Sequence, residues 1–70
     1  MNLNLTQAMI DALPKEENEY IMLQLKENAE PEQLAATLGK TVDEVQDLHD
    51  RAWRRLAEMM VADAKERGEF

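Results

Sequence analysis

Apolar residues recur along the chain at helical spacing and nowhere alternate with polar ones over a strand's length, so the pattern predicts helices throughout. Thr6 can cap a first, short helix that presents Ala8, Met9, Ala12 and Leu13, and Pro14 suits the first turn of a second. From Pro14 to about Lys26, Tyr20, Ile21, Met22, Leu23 and Leu25 surround the axis, the mark of a central helix buried by neighbours on several sides. A polar stretch, Glu27-Asn28-Ala29-Glu30, precedes Pro31, which fits the first position of a brief third helix carrying Leu34, Ala35 and Leu38.

Gly39 stands where a left-handed C-terminal cap belongs, and Thr41-Val42-Asp43-Glu44 reads as the capping box of a fourth helix starting at Val42. In that helix Val42, Val45, Leu48, His49, Ala52, Trp53, Leu56, Met59 and Met60 fall within one arc at 100° per residue. Asp43, Asp47, Asp50 and Arg54 lie opposite. The helix is expected to reach about Lys65 and to leave residues 66–70 as a frayed tail. The expected fold is therefore all-α: a four-helix helix-turn-helix domain with a long C-terminal helix, one domain over residues 1–70. Leu23, Leu34, Ala35, Leu38, Val45, Ala52 and Leu56 are its expected core.

Composition narrows what such a domain does. Seventy residues allow one small core, and with no Cys there is neither a disulfide nor a thiolate to reinforce it, so a partner or a second copy is a natural expectation. The absence of Cys fits a reducing compartment, and no apolar run approaches a membrane span, which together point to the cytoplasm. Fifteen acidic against eight basic residues give a formal charge of −7, the wrong sign for a generic polyanion binder. No enzyme is expected: no nucleophile accompanies the single His49, no glycine loop could cradle a phosphate, and no second ligand stands beside the histidine for a metal. No cofactor is expected either.

The third helix, the Gly39 turn and the fourth helix form a helix-turn-helix in which small Ala35 permits a close crossing and Val45 locks the second helix on the first. Its flanks extend the pattern: Ala12-Leu13-Pro14, Glu19, Leu23, Glu32, Leu34-Ala35, Leu38-Gly39, Val45, Arg51-Ala52 and Arg55-Leu56, in order and without a gap. Over roughly residues 6–60 the chain resembles region four of bacterial sigma factors, especially the extracytoplasmic-function type. The DNA-binding domain of LuxR-type response regulators shares the helix order, and the Leu13-Pro14 entry favours sigma. The resemblance implies a four-helix domain that reads a promoter element with its last helix and docks on RNA polymerase. With no sigma region two, the chain would be a domain or a stand-alone relative, of a size that suits a small host or phage inhibitor or adaptor.

The departures from that family fall where DNA would be touched. Lys40 replaces the usual apolar residue after Gly39, and Glu30 replaces the hydroxyl cap before the third helix. The start of the fourth helix carries Asp43, Glu44, Gln46, Asp47 and Asp50 in place of small, hydroxyl and basic residues. DNA affinity rests on cations that neutralise phosphates, and carboxylates there repel the duplex. They also have a purely structural use, complementing the helix dipole and pairing Asp47 with Arg51 and Asp50 with Arg54. Arg51, Arg54 and Arg55 are the residues that would touch nucleic acid, although they follow a turn or more late, and Arg54-Arg55 read more readily as solvated helix surface than as a phosphate clamp. The expectation is a regulator that acts mainly by protein contact, through Asp43, Asp47, Asp50, Trp53, Met59 and Met60. The partner would be RNA polymerase, a sigma factor, another regulator or a second copy of the chain, with DNA binding weak or absent. The alternative is a sequence-specific DNA-binding domain.

Overall fold

The computed structural model describes residues 3–68. Four helices follow one another, α1 (Gln7–Asp11), α2 (Lys15–Glu27), α3 (Pro31–Leu38) and α4 (Val42–Glu66), and no strand occurs among the described residues. The boundaries follow from local chemistry. Thr6 accepts the Met9 amide on its hydroxyl at 3.3 Å and opens α1. Pro14 stands one place before α2, at its N-cap, and the Asn18 side-chain amide donates to the Ile10 carbonyl at 2.8 Å, tying α1 to α2. Asn28 ends α2 at φ 49, the left-handed conformation that asparagine tolerates better than most side chains.

Pro31 occupies the first turn of α3, where its missing N–H costs nothing. Gly39 closes that helix at φ 68, and the Lys40 and Gly39 amides return to the carbonyls of Ala35 and Ala36 in a Schellman arrangement. Two residues later the Thr41 hydroxyl accepts the Glu44 amide at 3.1 Å while the Glu44 carboxylate accepts the Thr41 amide at 2.9 Å. Those bonds, the backbone one foremost, hold the Glu44 carboxyl below its ordinary range.

A side chain at Gly39 would meet no atom within 4 Å, so the only obstacle to one is the positive φ. Gly39→Val is therefore expected to cost at least the 1–2 kcal/mol, roughly, of placing an L-residue in the left-handed region. That lowers the melting temperature by about 4–8 °C per kcal/mol in a domain of this size. A melt of Gly39→Val superimposable on the parent would remove the turn from the argument.

One core joins the helices: Ile10, Leu13, Tyr20, Ile21, Leu34, Ala35, Val45, Leu48, Ala52 and Leu56. Five of the seven expected core residues are buried, whereas Leu23 and Leu38 are half-buried and pack at the margin. Other expectations need correction. The first helix turns Ile10 and Leu13 inward and leaves Ala8 and Ala12 exposed. The second helix is not surrounded: it buries Glu17, Tyr20 and Ile21 on one side and leaves Met22 and Leu25 about half exposed. The reason is size, since α1 has five residues and α3 eight, too few to cover a second face of α2. The fourth helix runs one residue further than expected, to Glu66, and Arg67 caps it with its Nε 2.8 Å from Asp63 Oδ2. The expected frayed tail thus does not begin at Glu66, and its last two residues, 69 and 70, lie outside the described part.

Candidate protein-contact face on the fourth helix

Twenty-five residues make α4 about 37 Å long, so it spans most of the 42 Å long axis of the molecule and offers its outer side along that length. At its start Asp43, Glu44, Gln46, Asp47 and Asp50 are all exposed, because Val45 and Leu48 turn into the core, Val42 and His49 flank them half-buried, and the opposite side faces solvent. The outward side of the second helix of the helix-turn-helix is thus acidic. Arg51 Nε sits 2.9 Å from Asp47 Oδ2, one of the two helix pairs expected. The other does not form: Asp50 and Arg54 make no ion pair, consistent with the few tenths of a kcal/mol, roughly, that such an exposed pair supplies.

The three arginines are placed unequally. Arg51 is held by Asp47, and Arg55 Nε lies 2.8 Å from Oε1 of Glu17, a first-turn residue of α2 whose side chain is only 4% exposed. That contact is electrostatic rather than a directed bond, for Glu17 Oε1 has no hydrogen-bond partner of good geometry. Arg54 alone has no carboxylate partner among the described residues, and it shares a shallow groove with Arg51, Arg55 and Glu58. If Arg55 swung out to a phosphate it would strand a buried carboxylate without its cation, which opposes its use on DNA. Nothing in the sequence marks Glu17 as buried, since an acid in a first turn ordinarily reads as a dipole complement.

Trp53, Met59 and Met60 do not stand open as a partner stripe. All three are half-buried and packed against the core of their own chain, with Leu56 fully enclosed beside them. The physical reason is that α1 and α2 lie along this side of α4. Met59 borders a groove with Ala8 and Met9 of α1 and with Ala12, which caps that helix, and the Trp53 Nε1–H donates to Gln24 Oε1 of α2 at 3.1 Å. The helix pairing that a short core was expected to seek from a second chain is largely supplied internally.

His49, inside the apolar arc, is half-buried and shares a 2.8 Å hydrogen bond between its Nδ1 and the Tyr20 hydroxyl, their rings edge to face at 5.8 Å. Burial first, and then the nearby Asp50 carboxylate, push the Tyr20 hydroxyl above the ordinary phenol range. Among the described residues no group of His, Asp and Glu is arranged to hold a metal, and no helix is long and apolar enough to cross a membrane. The arrangement offers charge and shape for recognition. Set beside family models, characterised proteins and solved structures, the chain matches none of them.

Proposed function

We propose that this chain is a small transcription-associated regulator built on a sigma region four-like helix-turn-helix, acting by contact with a protein: RNA polymerase, a sigma factor or another regulator. The observation that carries this reading is the exposed row Asp43, Glu44, Asp47 and Asp50 on the outward side of α4. In a helix-turn-helix the first turns of the second helix are the part that meets base edges. Four carboxylates there oppose a polyanion and complement a basic protein surface. The family reading draws support from the α3–α4 unit, in which Gly39 has positive φ and Ala35 and Val45 are buried between the helices. Cytoplasmic action follows from the same proposal.

The competing reading, a sequence-specific DNA-binding domain, is favoured by the same α3–turn–α4 geometry and by the unpaired Arg54 guanidinium. Fluorescence anisotropy separates the two. Labelled chain is titrated with purified bacterial RNA polymerase core, with sigma factor, and with duplex DNA, each at low and moderate salt. Saturable binding to one of the proteins and none to DNA at low salt is the expected result. Tight binding to a particular duplex, weakened when Arg51, Arg54 and Arg55 are replaced, would instead establish a DNA reader.

A further inference from the structure

Between the end of α2, the start of α3 and the first half of α4 lies a cleft of about 270 Å³. Its apolar lining is the half-buried Ala29 and Pro31 over the buried Leu34 and Val45, and it also carries Gln46, His49 and the Asp50 carboxylate. Pockets for cofactors and drug-sized ligands measure about 300–1,000 Å³, and this space falls just below that range, enough for a single long side chain. The Tyr20–His49 bond stiffens one wall, and Gln24, also on the wall, is held through the Trp53 indole. The one charged side chain that lines it is the Asp50 carboxylate. Asp50 makes no ion pair among the described residues, and no Lys or Arg lines the cleft, Arg51 beside it being held by Asp47.

We propose that this cleft receives the arginine side chain of a basic segment on the protein partner, with the aliphatic stem against Ala29, Pro31 and the His49 ring and the guanidinium on the Asp50 carboxylate. Arginine fits on both counts, since its three-carbon stem covers apolar surface and its planar fork takes a carboxylate in a bidentate pair. The inference rests on the protein-partner reading and gives that partner a chemistry.

The test uses the whole chain and a single capped residue, N-acetyl-arginine N-methylamide, followed through backbone amide shifts in NMR. Saturable shifts are expected at Leu34, Val45, Gln46, His49 and Asp50. Asp50→Asn, at an exposed position that leaves the core untouched, should weaken binding about fivefold, the upper range for an exposed ion pair. The neutral isostere N-acetyl-citrulline N-methylamide should lose at least as much. Ala29→Leu, which fills the cleft, should abolish the shifts, and Asp43→Asn, on the same helix as Asp50 but outside the cleft, should not change them. Shifts spread evenly over the acidic residues, or equal affinity for the citrulline probe, would overturn the proposal. The capped residue reads the cleft without a partner. Its failure would leave the protein-partner reading standing, and failure of the polymerase and sigma titrations would leave the cleft result intact.

Discussion

Leu56→Ala is expected to unfold most of the protein at room temperature. Leu56 is fully buried in α4, in the single core cluster to which all four helices contribute. Truncating such a leucine removes its transfer free energy and leaves a cavity, together about 2–5 kcal/mol. A single core in a chain of this length supplies only about 3–5 kcal/mol of net stability, with no disulfide here to add to it. The loss is therefore comparable to the whole. Far-ultraviolet circular dichroism against urea should show most helical signal gone before denaturant is added. Two comparisons calibrate the result. Leu38→Ala, at a half-buried position, should cost less than Leu56→Ala, and Leu25→Ala, 53% exposed, should stay within about 0.5 kcal/mol of the parent. A Leu56→Ala melt coincident with that of Leu25→Ala would contradict the packing described.

The second large effect is a gain. Replacing Asp43, Asp47 and Asp50 together with lysine adds two units of charge at each site and moves the formal charge from −7 to −1. The fold should survive, because all three side chains are exposed; the losses are the Asp47–Arg51 pair and a favourable dipole interaction at Asp43, a few tenths to about 1 kcal/mol each. The outward face of α4 would then carry three lysines alongside Arg54, and Arg51 would be released from its carboxylate. Salt-sensitive duplex binding should appear, with a logarithmic slope of about 0.9 for each phosphate neutralised. Binding to the protein partner should fall in the same variant. If the triple variant binds DNA no better than the parent, then charge is not what keeps this helix off the duplex.

Helix order, turns and caps were readable because each is a local event. Pro31 at a first turn, Gly39 at positive φ and the Thr41–Glu44 box are decided within four residues, and all three occur as expected. The long arc of α4 was readable because one period persists over many turns, so small errors average out. The α2 run Tyr20 to Leu25 misleads because it states what could be buried, whereas what is buried depends on the sizes of the neighbours. Met22 and Leu25 stay outside because α1 and α3 are short. A different non-local cause, the seating of α1 and α2 along that side of α4, moves Trp53, Met59 and Met60 from an open stripe to the margin of the core. Glu17 is the extreme case, since its burial and its contact with Arg55 are set by the crossing of α2 and α4, which no spacing within either helix encodes. At the candidate face, the acidic row was visible in the sequence; the cleft beside it was not, because it exists only where three helices come together.

The pairs Tyr20–His49 and Gln24–Trp53 are each separated by 29 residues, and each joins a position on α2 to one on α4. They act as a double latch on the seating of one helix against the other. Were α4 to slide one turn, about 5.4 Å, in one direction, Tyr20 would face Trp53, which has no acceptor to offer, and Gln24 would face Ala57. A slide the other way would set Tyr20 against Val45. Aliphatic contacts alone discriminate poorly between such neighbouring positions, since one leucine resembles the next. A stranded hydroxyl or indole N–H, by contrast, costs up to about 1–3 kcal/mol where water is excluded, and part of that at these two half-buried bonds. The two bonds therefore add little to the depth of the native minimum while raising the minima on either side, which gives α4 a single seat on a small and otherwise slippery core.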